Sequence, residues 1–289
     1  MLLTVSTTHT PATDLGYLLH KHPDRVQEFR QSFGVATVFY PEAGDDRCTA
    51  ALVLEIDPVR LARSRSRNSP DFTLAQYVND RAYAASSLLA VALAGVFNTA
   101  RSGRCTARQE LADSAIPLEI AIPVLPCRGG PDIAHRLFEP LGWRVEADPI
   151  ALDDAFPEWG DSRYIRLHLA GTLRLADALN QLHVLLPVLD EAKHYWQGPD
   201  EVDKLLRSGG DWLTDHPDRT LITRRYLAGA APSPGWPWPD SQSWATRSRR
   251  RSSPPRTRRR CSPRRGACRS TSSGTRRFSK RSRGPGPRR

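Results

Sequence analysis

Tyr164-Ile-Arg-Leu-His-Leu169 decides how the rest of the chain is read. Ile165, Leu167 and Leu169 fall on one face of an extended segment and Tyr164, Arg166 and His168 on the other, the period-two pattern of a half-buried strand. Gly171-Thr172 then leads into Leu173–Leu189, an amphipathic helix with Pro187 near its end. Upstream, Gly142–Asp148 alternates like a second strand and Asp132–Leu141 places Ile133, Leu137 and Leu141 on one side of a helix. Before these, Leu118–Leu125 is a strand-like run closed by the turn Cys127-Arg-Gly-Gly130. The order is β-α-β-β-α.

The same order stands at the start of the chain. Leu2–Thr7 is a β-branched and apolar run, and Thr13-Asp14 opens a helix carrying Leu15, Leu18 and Leu19 that ends before Pro23. Val35–Tyr40 and Cys48–Ile56 are strand-like and are joined by the turn chemistry of Pro41–Asp46, so they form a hairpin; Pro58–Ala62 starts a second helix. Such units resemble split β-α-β halves. The expected fold is α+β: tandem β-α-β-β-α units over about residues 1–70 and 115–190, joined by a buried linking helix over about 72–102. The other reading is an α+β domain whose repeated order is coincidental. Short helices are expected at Asp200–Leu206, Gly210–Thr214 and Arg219–Leu227, giving an N-terminal domain over 1–227.

Charge divides the 289 residues unevenly. From Ala231 onward lie 18 of the 42 Lys and Arg but one of the 31 acids, Asp240; that segment carries +17 and the remainder −6, so the overall +11 is no property of the body. Residues 228–289 read as a disordered Arg/Ser/Pro-rich tail. Its composition is also what GC-rich codons yield when read out of phase, and a shifted phase returns two amphipathic helical sequences; the tail is read as out of frame. Five scattered cysteines without a Cys-x-x-Cys pair argue against a disulfide framework and a structural zinc. Met1–Ser6 lacks the basic and long apolar regions of a signal peptide, and no apolar run reaches membrane-spanning length, so a cytoplasmic protein without membrane contact is expected.

The chain contains no glycine-rich dinucleotide or S-adenosylmethionine loop, no Gly-x-Ser-x-Gly and no P-loop lysine. Glu191 and His194 stand one helical turn apart, a spacing that suits an ion pair better than a metal site. Three segments mix charge with aromatics beyond what a core requires: Pro157–Tyr164, Lys193–Trp196 and Gln76–Tyr83. Aromatic and Arg side chains on loops anchor partner proteins or stack on single-stranded RNA bases, and they also fill gaps between subdomains. The nominated contact residues are Glu158, Trp159, Asp161, Arg163, Lys193, His194, Tyr195 and Trp196.

Long strings then carry a resemblance. MLLTVSTTHTPATDLGYLLHKHPDRVQ (1–27), TVFYPEAGDDRCTAALVLEIDP (37–58), FTLAQYVNDRAYAASSLL (72–89), SGRCTARQELA (102–112), VLPCRGG (124–130), LFEPLGWRVEA (137–147), FPEWGDSRYIRLHLAGT (156–172), LHVLLPVLDEAKHYW (182–196) and TLITRRYL (220–227) resemble the N-terminal part of the bacterial 3′-terminal RNA ribose 2′-O-methyltransferases of RNA repair. The resemblance implies a domain that engages and activates the RNA ligase of a polynucleotide kinase–phosphatase–ligase. In the full-length family a C-terminal domain uses S-adenosylmethionine and a divalent metal to methylate the terminal 2′-hydroxyl of RNA. No catalytic, cofactor-binding or metal residue of that domain finds a counterpart here, so this chain is expected to lack methyltransferase activity and bound cofactor. The alternative is a non-specific nucleic-acid-binding protein acting through its Arg-rich tail.

Overall fold

The computed structural model describes residues 1–59, 85–191 and 200–227. Their architecture is a seven-stranded antiparallel sheet with helices packed on one face. The first half supplies β1 (Leu2–Thr7), a 3-10 turn at Ala12–Asp14 with α1 (Leu15–Leu19), β2 (Gln27–Gln31), β3 (Gly34–Ala43) and β4 (Cys48–Ile56). Then come α2 (Ala85–Val96), α3 (Asn98–Arg101) and α4 (Gln109–Asp113). The second half supplies β5 (Ile116–Pro126), α5 (Pro131–Phe138), β6 (Arg144–Ala151), β7 (Asp161–Leu173) and α6 (Leu175–Asp190), followed by α7 (Asp200–Asp215) and α8 (Arg219–Leu227).

The sheet order β2-β3-β4-β1-β5-β7-β6 shows the tandem directly. In each half the last strand lies between the other two: β4 between β3 and β1, and β7 between β5 and β6. Because every pairing is antiparallel, β1 runs parallel to β3 and β5 to β6, each pair split by an inserted strand, which is the split β-α-β arrangement. The first strands of the halves pair at the centre, Val5 opposite Ile120, so the halves are related by an approximate two-fold axis through the sheet. The β3–β4 and β6–β7 turns therefore lie at opposite ends of it.

Register fixes which side is buried. One row runs Ala50, Val5, Ile120, Leu169, Val145 across five strands, and none of the five side chains is more than 7% exposed. Each large member contributes about 1.5–3 kcal/mol by leaving water, and a slip of one residue would turn the whole row outward. α1, α2 and α6 cover this face, with α2 and α6 packed on each other. The adjacent row, Thr49, Ser6, Glu119, Ala170, Arg144, faces the other way and is polar. There Ser6 and Thr49 share a hydrogen bond of 2.9 Å, and Arg47 donates to Glu119 at 2.6 Å, holding that carboxyl below the usual range. His168 lies on this polar face, half-buried, with Glu146 at 3.5 Å.

Several elements differ from the sequence expectations. β2 is an added edge strand; Gln27-Glu-Phe-Arg-Gln31 carries one apolar residue, Phe29, and so gives no period to read. The linking helix is described from Ala85 to Val96 and stops at Phe97, whose φ/ψ of −107°/28° leave the helical region before α3 begins. The rest of the expected 72–102 span falls partly outside the described residues, as does the helix expected from Pro58 beyond Val59. Leu173 belongs to β7 rather than to the following helix. The two helices expected at Asp200–Leu206 and Gly210–Thr214 form one element, α7, broken by a non-helical Gly210. α4 has no apolar period in five residues to announce it. The tail, 228–289, lies outside the described residues.

Candidate protein-interaction site

The β6–β7 connection is built as a rigid projection. The Asp153 carboxylate accepts the Ala155 N–H at 2.8 Å, and the Asp153 carbonyl accepts the Phe156 N–H at 3.2 Å, turning the chain. Pro157–Trp159 forms a single 3-10 turn in which Phe156 accepts from the Trp159 N–H at 3.0 Å. Gly160 closes it at φ 74°, ψ −160°, a conformation that a side chain would strain. The Leu152 N–H donates to the Gly160 carbonyl at 2.9 Å and pins the two arms together.

This backbone displays apolar surface that the core does not use. The Phe156 and Trp159 rings stack with centroids 4.5 Å apart and planes 13° from parallel. Phe156 is 44% exposed, Trp159 56% and Leu152 59%. Glu158 and Asp161, on either side of Trp159, are exposed as well.

The root of the projection is tied to the end of α6. The Ser162 hydroxyl donates to the Ile150 carbonyl at 2.7 Å and receives the Tyr164 N–H at 3.2 Å. The Arg163 guanidinium lies 5.2 Å from the centroid of the Tyr164 ring and donates to its hydroxyl at 3.0 Å. The carbonyl of Arg163 accepts the Cys127 N–H, and Leu189 accepts the Arg128 N–H at 2.8 Å. Asp190 ends α6 and receives the Ser86 hydroxyl at 2.6 Å; burial pushes its carboxyl up, against the opposing pull of that hydrogen bond and of Arg163. Glu191 lies 3.5 Å from Arg128 and 3.8 Å from Arg225, whose guanidinium also donates to the carbonyls of Arg128 and Val188.

Four of the nominated residues, Glu158, Trp159, Asp161 and Arg163, thus share one hairpin. Lys193, His194, Tyr195 and Trp196 lie outside the described residues, as does Gln76–Tyr83. Their described neighbours nevertheless meet: Ser86, three residues after Tyr83, bonds Asp190, three residues before Lys193. Glu191 faces Arg128 and Arg225. Sequence reasoning missed Phe156 and Leu152, which lie just outside the aromatic-and-charge segment that drew notice, and the Ser86–Asp190 bond, which joins residues far apart in the chain.

Elsewhere, a shallow cavity of about 270 Å³ opens on the polar sheet face beside Thr8, Glu119, Arg144 and Thr172. Among the described residues no three His, Cys, Asp or Glu side chains group so as to hold a metal, and no helix is long and apolar enough to cross a membrane.

Residues 1–232 match the family described as the "RNA repair, ligase-Pnkp-associating, region of Hen1". No curated protein matches the chain. Among solved structures it is similar to a chain of the Pnkp1/Rnl/Hen1 RNA repair complex, with 14% identity and a TM-score of 0.49 over 81% of this chain and 52% of that one. A chain from a second structure of the Pnkp1/Rnl/Hen1 complex gives 13% identity, the same score and the same coverage. The chain spans about half the length of these solved relatives.

Proposed function

Because the chain belongs to the family of the ligase-Pnkp-associating region of Hen1, we propose that it acts in RNA repair by docking on a cytoplasmic polynucleotide kinase–phosphatase–ligase and promoting its ligase step. The observation that carries this reading is the extent of the family match, residues 1–232, which takes in every described residue. The exposed hairpin with Glu158, Trp159, Asp161 and Arg163 is assigned to the contact surface, together with Lys193, His194, Tyr195 and Trp196. Projecting aromatics and Arg on a hydrogen-bonded scaffold supply the buried anchors on which protein association depends. We assign methyl transfer, with its S-adenosylmethionine, divalent metal and RNA end, to a part of such enzymes separate from residues 1–232, because it requires a cofactor pocket and a metal that acidifies the 2′-hydroxyl.

The test is co-purification of the full chain with its cognate kinase–phosphatase–ligase, followed by the rate of ligase adenylylation with and without it. Faster adenylylation is expected, and Trp159→Ala combined with Trp196→Ala weakens it. No association, or association without any change in adenylylation, overturns the proposal. A second reading, sequence-blind RNA binding through the 18 basic residues from Ala231 onward, follows from their charge. Deleting residues 235–289 separates the two: it abolishes RNA binding under the second and leaves ligase activation intact under the first.

A further inference from the structure

We propose that the β6–β7 tip is a preformed aromatic plug that seats in an apolar cleft rimmed by Lys and Arg on the ligase-bearing partner protein. The inference rests on the docking function proposed above and adds the chemistry of the partner's surface.

Shape comes first. Leu152, Phe156 and Trp159 expose apolar side chains at one hairpin end, while the backbone beneath them is already closed by the bonds of Ala155, Phe156, Trp159 and Leu152. A plug held in this way gives up little conformational freedom when it is buried, so most of the aromatic contact is available for binding.

The two-fold relation of the halves supplies an internal comparison. The equivalent β3–β4 turn closes with the Gly44 N–H donating to the Arg47 carbonyl at 2.9 Å and presents no aromatic ring. The equivalent turn thus carries no exposed ring pair, and neither Phe156 nor Trp159 packs into or against the hydrophobic core.

Charge selects the partner. From Ile150 to Ser162 there is no basic residue. Asp154, Glu158 and Asp161 are exposed around the stacked rings, and none forms an ion pair with a described residue. A nucleic acid that offered its bases to Trp159 would bring phosphates against these carboxylates, which opposes binding. A protein cleft with an apolar floor and a basic rim satisfies both the rings and the acids, and attraction across the gap speeds encounter.

The test uses the full chain and the cognate kinase–phosphatase–ligase, with association and dissociation rates followed over a range of ionic strength. Asp154→Lys with Glu158→Lys is expected to slow association at low salt by ~10-fold and to flatten its salt dependence. Phe156→Ala with Trp159→Ala is expected to speed dissociation by ~10²-fold. Far-UV circular dichroism and unfolding temperature unchanged from the parent show that each variant folds. If the parent chain binds the partner and both variants match it in rates and salt profile, the plug is overturned while the docking function stands. If the parent chain does not bind, both fall. A short single-stranded RNA is titrated in parallel: unchanged affinity in the Trp159→Ala variant is expected, and a marked loss overturns the plug in favour of base stacking.

Discussion

The Ser86 hydroxyl donates to the Asp190 carboxylate at 2.6 Å, joining the start of α2 to the end of α6 across more than a hundred residues of chain. Burial raises the Asp190 pKa, opposed by this bond and by Arg163. The folded state therefore holds the proton to a higher pH than the unfolded chain does. Its contribution to stability is fully present below the unfolded carboxyl pKa and is lost as pH rises through the folded one. Asp190→Asn removes this loss, and its carboxamide oxygen still accepts from Ser86. The variant is expected to match the parent in acid and to melt higher at neutral pH. Ser86→Ala leaves the carboxylate with less support and is expected to cost about 1.5 kcal/mol at neutral pH, with a steeper decline as pH rises. Thermal unfolding of the three proteins across the acid-to-neutral range checks both.

Trp143 and Gln181 form a second long-range bond inside the core. The Trp143 indole N–H donates to the Gln181 side-chain oxygen at 2.7 Å, and the two residues are 3% and 4% exposed. Gln181→Leu keeps the apolar volume but strands the indole donor, at a cost of about 1–3 kcal/mol. Denaturant unfolding should show a lower midpoint with an unchanged slope. A midpoint equal to the parent's would mean that water satisfies Trp143.

Gly34 pairs with Ile56 of β4 with no room for a side chain. A Cβ placed there would lie 1.9 Å from the Glu55 carbonyl oxygen, an atom fixed in the strand pairing. Gly34→Ala must therefore displace backbone, and a loss of at least the roughly 1–3 kcal/mol of ordinary overpacking is expected. Gly130 has open space at its Cβ position, but its φ of 75° and ψ of −172° lie where side chains are rarely found; alanine there should cost about 1–3 kcal/mol from backbone conformation alone. Unfolding measurements on the pair separate steric from conformational cost.

Much of this fold was legible because each β-α-β-β-α half writes its buried face in period two and its helices in period 3.6. Ile165, Leu167 and Leu169 were placed on one face by spacing alone, and all three are buried. β2 was not legible, since Phe29 is the only apolar residue of an edge strand otherwise made of Gln, Glu and Arg, and one residue sets no period. The join of α7 across Gly210 was hidden by a Gly-Gly pair that reads as a stop. At the candidate site, composition found Trp159 and Arg163 because Trp and Arg on a loop are conspicuous. Phe156 was not legible, because its stacking on Trp159 depends on a 3-10 turn that no periodicity signals.

The thiols give the last prediction. Cys48, Cys105 and Cys127 are free and buried, at 0%, 2% and 3% exposure. Burial, the largest influence on both, raises Cys48 and Cys127 to about 11. At pH 8 roughly one in a thousand of these two groups is then thiolate, the reactive form. Cys127 is further held by a contact of 3.1 Å between its sulfur and the Gly130 carbonyl. Iodoacetamide applied to the native protein at that pH is expected to leave all three unmodified, and to alkylate each once denaturant unfolds the sheet. Peptide mass mapping reads the result position by position. Rapid native labelling of Cys127 would mean that the turn at Gly129 and Gly130 opens without global unfolding, and with it the anchorage of Arg128 and Arg225 around Glu191.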